Sequence, residues 1–274
     1  MKRLWMIALA SMLLTACSFD NMEELGVMSD PTDVQMTFSP YTMEAMTRSA
    51  VNIADVVTKL DVWIYESGSE VTAIHQAASD AGFGSLTVTL DKTKTYTLYA
   101  VGHKADGATL ADGVISFTDD KVTHSMFYST TFSPATTTSL SCLMTRIVAD
   151  FRMEITDDIP TSAVKFRFTV SGVYDRWSVT TGATHGVNRV STINYVGTSA
   201  IFNVYAITTD AQTLHTVTVE ALDENDAVIQ SRVFENVPLR NGYKTNYRGT
   251  FFIDTPMSMS FTVNDWIEYD VFEF

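Results

Sequence analysis

Apolar and polar positions alternate with a period of two along most of the chain. Leu60, Val62 and Ile64 form one such set, and Phe166, Phe168 and Val170 form another. Successive side chains of a β-strand point to opposite faces, so each set can line one core-facing side. Further sets begin at Leu86, Tyr96, Ile147, Val217 and Phe261. The pattern predicts an all-β protein.

Polar turn residues separate the predicted strands. Residues 91–94 and 223–226 lie between alternating runs and predict two hairpins. A helical period occurs only over 50–58 and 72–81, which predicts short helices at most. Residues 130–138 lack alternation and contain Pro134. We therefore predict two tandem β-sandwich domains, 45–136 and 137–274, each of a size that suits this fold.

The N-terminus carries a secretion signal. Lys2 and Arg3 precede an uncharged apolar run, 4–14, that as a helix would rise only about 16 Å, roughly half of a bilayer core. The run ends in Leu14-Thr15-Ala16-Cys17, which resembles a bacterial lipobox. This resemblance implies that residues 1–16 are a lipoprotein signal peptide and that the Cys17 thiol receives a covalent lipid. The alternative is an ordinary signal peptide followed by a chance cysteine.

An irregular tether is predicted to follow, over 17–44. Acids at 20, 23 and 24 resemble the surface-export signal of Bacteroidota lipoproteins, and a plain acidic spacer is the alternative. Prolines and acids continue to about Tyr41 and interrupt both regular periods.

Composition and charge exclude some classes of function. Of the 274 residues 46% are hydrophobic and 18% are charged, so the chain can build a core. Lys and Arg number 18 against 32 Asp and Glu, and the net charge of −14 disfavours nucleic acid as a partner. With Cys17 lipidated, only Cys142 is left as a thiol, so no disulfide is expected. Its apolar neighbours predict a buried, unreactive side chain.

The chain contains few candidates for catalytic or metal-binding residues. The chain has no nucleophile elbow, no phosphate-binding loop and no zinc-protease motif. Its five histidines are scattered, and its acidic pairs lack a calcium-loop pattern, so we predict no metal, no catalytic residue and no cofactor besides the lipid. Tyr174 and Trp177 either pack in a core or offer a stacking surface for a sugar.

Several short strings resemble the fimbrillin families of Bacteroidota pili, particularly their lipoprotein anchor and accessory branch. They are residues 96–101, 143–151 and 239–249, followed by Asp265-Trp266. The resemblance implies two transthyretin-like sandwiches in a non-enzymatic cell-surface lipoprotein of the outer membrane and the fimbrium. Its partners would be other fimbrial subunits, joined by exchange of β-strands.

The same resemblance points to segments that take part in assembly. In stalk members of the family a protease cuts after an arginine, and Arg48 lies where such a cut would fall; a plain surface arginine is the alternative, since anchor members are not cut there. The C-terminal run is a candidate for the exchanged strand, with apolar positions at Phe261, Val263, Trp266, Tyr269, Val271 and Phe272.

Two other classes of function stay open. One is a surface lipoprotein that binds glycans or host ligands, which an exposed Trp63 or Trp177 would favour. The other is a lipid-anchored hydrolase, which would need an acidic pocket containing a carboxyl group of raised pKa.

Overall fold

A computed structural model describes residues 29–41, 52–197, 199–253 and 260–265. Nearly all of its regular structure is β-strand, arranged in three sheets. Two short 3₁₀ turns, Ile53–Asp55 and Thr118–Asp120, are the helical elements of the described residues. No helix in these ranges is long and apolar enough to cross a membrane.

The first sheet has seven strands and folds over on itself to form a sandwich. The strand order is β3-β2-β5-β8-β9-β1-β4, and the β8–β9 contact at one end of each strand joins its two halves. The strands are β1 (Pro31–Pro40), β2 (Lys59–Glu66), β3 (Ser69–Ala77), β4 (Ser85–Asp91), β5 (Tyr96–His103), β8 (Met126–Phe132) and β9 (Ser139–Arg146).

The first core lies between these two halves. Leu60, Val62 and Ile64 of β2 are fully buried in it, as the alternating pattern predicts. Met36 of β1 and Met144 of β9 meet them from the other half. The period-two pattern thus places one face of each strand in a common apolar interior.

The second sandwich is built from two further sheets. One has four strands in the order β13-β10-β16-β17, and the other has the order β15-β14-β11-β7-β6 with β12 on the other side of β11. Phenylalanines of both sheets, such as Phe151 and Phe168, pack together in its core. The strands are β6 (Ala108–Ala111), β7 (Val114–Phe117), β10 (Ala149–Ile155), β11 (Lys165–Ser178), β12 (Gly182–Asn194), β13 (Ile201–Ala206), β14 (Thr213–Leu222), β15 (Val228–Leu239), β16 (Tyr243–Gly249) and β17 (Ser260–Asp265).

A third apolar cluster joins the two sandwiches. The long strand β11 extends beyond β14 and pairs with β7, which comes from the first half of the chain, through Trp177 and Ile115. The outer face of β2 contributes Trp63, and the connection between β9 and β10 contributes Ile147 and Val148, all three buried. The cluster, which we call the junction, fixes the long hairpin β11–β12 against the first sheet.

The predicted all-β class is confirmed, and so is the hairpin at 223–226, which joins the antiparallel neighbours β14 and β15. Three local predictions are wrong. Residues 91–94 do not form a hairpin, because the strands that they connect are not neighbours: β4 pairs with β1, and β5 pairs with β2 and β8. Residues 72–77 belong to β3 and are not helical, because cross-strand partners on β2 override a short helical period. Residues 31–40 are not an irregular tether but form β1. β9, which lies within the second predicted domain, pairs with β1 of the first sheet, and β6 and β7, which lie within the first predicted domain, belong to the sheet of β11.

Candidate assembly site

β1 closes the first sandwich. It runs antiparallel to β4 on one side and parallel to β9 on the other. Its inward side chains Val34, Met36 and Phe38 are 0%, 1% and 3% exposed. Burying each of them contributes roughly 1.5–3 kcal/mol, so the first core depends on this strand for several kcal/mol.

The local sequence explains why β1 forms. Val34, Met36 and Phe38 alternate with polar residues, which is the signal of a half-buried strand. Pro31 is the first residue of the strand and Pro40 the last, positions where a missing N–H interrupts little pairing. The flanking prolines and acids suggested a tether, although the period-two signal was present between them.

Cys142 lies beneath β1. It is opposite Phe38 in the β1–β9 register and is completely buried. Burial raises the pKa of its thiol to about 12, and a hydrogen bond with the Tyr128 side chain opposes this shift. The prediction of a buried thiol is confirmed. The thiol is unreactive in this state, and release of β1 would leave it in an open groove.

The residues with the most specific predicted roles flank β1. The Tyr41 N–H donates to the Met144 carbonyl at 2.7 Å, and the described chain resumes at Asn52. The predicted lipidation site Cys17 and the predicted cleavage site Arg48 both lie outside the described residues.

The C-terminal candidate segment is described only in part. Phe261 and Val263 lie on β17, whereas Trp266, Tyr269, Val271 and Phe272 lie outside the described residues. Phe261 is 54% exposed, and its ring stacks on that of Tyr247 with the centroids 5.4 Å apart.

β17 buries little apolar surface. It pairs with β16 alone among the described strands. Val263 is half-buried, and Ser260, Thr262 and Asn264 are exposed. Because an edge strand with so little burial is held mainly by its backbone hydrogen bonds, β17 can separate from β16 at small cost to the core.

The chain just before β17 is firmly held. One carboxylate oxygen of Asp157 accepts the N–H of Phe251 at 2.7 Å, and the other accepts those of Phe252 and Ile253 at 2.7 and 3.0 Å. The Arg232 guanidinium donates to the carbonyls of Phe251 and Ile253, both at 3.0 Å. Phe251 is itself fully buried. The segment 251–253 is therefore a fixed root for the C-terminal strand.

Three of the family-like strings meet at one end of the four-stranded sheet. The Gly242 N–H donates to the Val148 carbonyl at 2.9 Å, which joins 239–249 to 143–151. Asp150 is paired with Lys244 across β10 and β16, and Tyr243 is paired with Asp265 across β16 and β17. These strings thus hold β10, β16 and β17 together beside the junction. The fourth string, 96–101, belongs to β5.

Two buried titratable groups lie near the junction. Asp150 is 2% exposed, and burial raises the pKa of its carboxyl to about 7 while Lys244, Arg152 and Arg146 oppose the shift. Burial, and after it the charge of Arg146, lowers the pKa of His124 to about 3. The Arg146 guanidinium donates to His124 at 2.9 Å. No local sequence pattern marks these two groups, because their burial arises only when the sandwiches pack together.

The aromatic residues that were candidates for sugar binding are packed at the junction. Trp63 is 3% exposed, and Trp177 is half-buried with its ring centroid 5.8 Å from that of Phe127. Tyr174 packs against the same cluster. Within the described residues, no group of three or more His, Cys, Asp or Glu side chains is placed to hold a metal ion.

Comparison with known proteins agrees with these features. A family model described as "Fimbrillin-A associated anchor proteins Mfa1 and Mfa2" matches residues 28–272. No curated protein sequence matches the chain.

Similar folds occur among solved structures from related bacteria. A candidate cell adhesion protein from Bacteroides uniformis is 14% identical with a TM-score of 0.55, over 86% of this chain and 99% of the other. A candidate adhesin from Bacteroides thetaiotaomicron is 11% identical with a TM-score of 0.52, over 87% and 98%. The fimbrial anchor protein Mfa2 from Porphyromonas gingivalis is 12% identical with a TM-score of 0.49, over 86% and 98%. The likeness to the two Bacteroides proteins extends over almost the whole of each chain and concerns the fold alone.

Proposed function

The chain belongs to the family of fimbrillin-A associated anchor proteins, and from this premise we propose that it is a non-enzymatic anchor or accessory subunit of a fimbrium. A lipid on Cys17 holds it in the outer membrane, and it joins other fimbrial subunits by exchange of β-strands. The position of β1 carries this proposal, because an N-terminal strand with a neighbour on each side would connect a lipid tether directly to a folded body.

The attachment argument starts from distance along the chain. Cys17 precedes Pro31, the first residue of β1, by 14 positions (31 minus 17). Several acyl chains on one residue anchor a protein stably, whereas a single chain binds only marginally. A pull on the lipid would then load β1 along its axis, where hydrogen bonds to two neighbouring strands resist it together.

The exchange argument starts from what each end of the chain buries. β1 is an interior strand with three buried side chains, whereas β17 is an edge strand with an exposed Phe261. Strand addition satisfies backbone groups of a sheet edge and buries alternate side chains. We therefore assign strand exchange with other subunits to the segment Phe261–Phe272, and attachment of the lipid tether to the folded body to β1. In this role Arg48 is not cut, since cutting there would sever the lipid from the body.

Replacing Cys17 with Ala tests attachment. We expect the variant protein to leave the membrane fraction and fimbriae to be shed into the medium. A Ser18→Ala variant is the matched control and should behave as the parent does. Continued membrane retention of Cys17→Ala would contradict the lipid anchor. Unchanged amounts of cell-bound fimbriae, despite release of the protein, would contradict the role in fimbrial attachment.

A further inference from the structure

The outer edge of β4 is open. β4 is a terminal strand of the seven-stranded sheet and, among the described strands, pairs with β1 alone. The Phe38 N–H donates to the Gly84 carbonyl, and the Lys92 N–H donates to the Asp30 carbonyl. In an antiparallel pair the bonded positions alternate. The backbone groups of residues 86, 88 and 90 therefore face β1, and those of 85, 87, 89 and 91 face outward.

The two ends of this edge are already satisfied. The Ser85 N–H donates to the Gly82 carbonyl at 2.8 Å, and the Ser85 carbonyl accepts from the Gln76 side chain at 3.0 Å. The Asp91 N–H donates to the Tyr96 hydroxyl at 3.2 Å. The outward N–H and C=O groups of residues 87 and 89 form the open centre of the edge.

The open centre lacks the features that protect sheet edges. Charged residues, prolines and bulges normally prevent an edge strand from pairing with another chain. β15 has a proline at 238, a glutamate at 235 and two bulges, and β3 has a glutamate at 70 and a bulge in its pairing with β2. β4 carries no charge from Ser85 to Leu90, and its register with β1 is unbroken over all seven residues.

The sequence of β4 is self-complementary. Residues 86–90 read Leu-Thr-Val-Thr-Leu, which is the same in both directions. Antiparallel pairing of two copies about Val88 would set Thr87 opposite Thr89 of the second copy, and Leu86 opposite Leu90. Thr87 and Thr89 are the residues with outward backbone groups, so this register would satisfy all of the open groups on both copies.

We propose that β4 is a docking edge for a second copy of this chain, which joins the two seven-stranded sheets into one continuous sheet around a two-fold axis at Val88. An isologous contact of this kind places the same patch on both partners. Leu86 and Val88 are half-buried against the first core at the sheet end, and the partner strand would cover them. No like charges would face each other across the paired residues 86–90. The dimer uses neither the tether nor the C-terminal strand, so it does not rest on the proposed strand exchange.

A symmetric cross-link tests the register. In the docked pair Val88 meets its own copy in a non-hydrogen-bonded position, where the Cα atoms lie roughly 4.5 Å apart, within disulfide range. We expect Val88→Cys in the full chain, in outer membranes treated with a mild oxidant, to form a covalent dimer. Thr87→Cys is the matched control, because two copies of residue 87 would lie diagonally about 7–8 Å apart. Equal cross-linking of the two variants, or of neither, would overturn the proposal.

A charge swap tests the same edge without cysteine. Thr87→Lys/Thr89→Lys sets lysine opposite lysine across the axis, and Thr87→Glu/Thr89→Lys sets glutamate opposite lysine. In the parent, the Thr89 hydroxyl donates to the Asp33 carboxylate at 2.7 Å. Both variants replace this hydroxyl with a lysine, so the loss of that hydrogen bond is the same in the two. We expect the first variant to weaken dimerisation at least tenfold in sedimentation measurements and the second to restore it. Equal dissociation constants for the two variants would show that β4 does not form this pair.

Discussion

Truncating Phe38 to alanine tests whether β1 holds the first sandwich closed. Phe38 is 3% exposed and lies opposite the buried Cys142. Removing a buried phenylalanine side chain costs about 3–5 kcal/mol. If the whole of this loss lowers the free energy of releasing β1 from the sheet, the fraction of molecules with β1 released rises by roughly 10² to 10⁴-fold, since every 1.4 kcal/mol is about tenfold.

The reaction of Cys142 with a thiol reagent measures that population. Burial and a pKa of about 12 keep the thiol unreactive while β1 is in place, so the labelling rate reports opening. Thr37→Ala, an exposed position on the same strand, is the control and should label at the rate of the parent. The denaturant dependence of labelling separates release of β1 from global unfolding, because local opening exposes less surface.

Two results would refute this reasoning. Equal labelling rates for Phe38→Ala and Thr37→Ala would show that β1 does not protect the thiol. A labelling rate with the full denaturant dependence of global unfolding would show that β1 leaves only when the whole sandwich unfolds.

Three further predictions concern the rest of the molecule. Asp157→Ala should destabilise the fold by about 2–4 kcal/mol, since it removes a charged acceptor of three backbone N–H groups. It should also speed hydrogen exchange at 251–253. The control Asp158→Ala, at an exposed position, should cause neither effect. Asp150→Asn should stabilise the fold at pH 8 but not at pH 4. Burial raises the pKa of the Asp150 carboxyl from its ordinary value of 3.8 to about 7, so the parent loses stability as pH rises between these values, by up to about 1.4 kcal/mol per pH unit. Urea unfolding across this range measures the difference. Arg48→Ala should leave the mature mass and the amount of attached fimbriae unchanged, and a larger mature mass in the variant would show that the parent is cut there.

Strand identity could be predicted from the sequence where one face of a strand is buried. Leu60, Val62 and Ile64 alternate with outward residues, and their burial follows from that period. The sequence of β3 shows a short helical period over 72–77 and no clear alternation, because these residues are mostly half-exposed in the sheet. Its identity depends on pairing with β2, which is a contact between segments and not a property of either one.

The pairing of distant strands was beyond prediction from local patterns. β1 and β9 are about a hundred residues apart in sequence, yet they are neighbours in one sheet. The Asp150 carboxyl likewise looks like an ordinary outward residue of β10, next to the core residue Phe151. Its environment depends on Lys244 of β16 and on the packing of the first sandwich over this end of the sheet, so its raised pKa has no local signal.

The N-terminal end of the described chain enters the first sandwich, and the C-terminal end enters the second. In the proposed function, membrane attachment and strand exchange therefore involve different sandwiches. A load between a lipid on Cys17 and a subunit bound at the C-terminal strand would pass through β1, the junction and the root of β17. β1 has neighbours on both sides and the junction is buried, so both resist extension. The root is held by Asp157 and Arg232. Among the described strands of this path, β17 alone combines an open edge with little burial. The proposed exchange at β17 is therefore the step that can occur while the rest of the path stays folded.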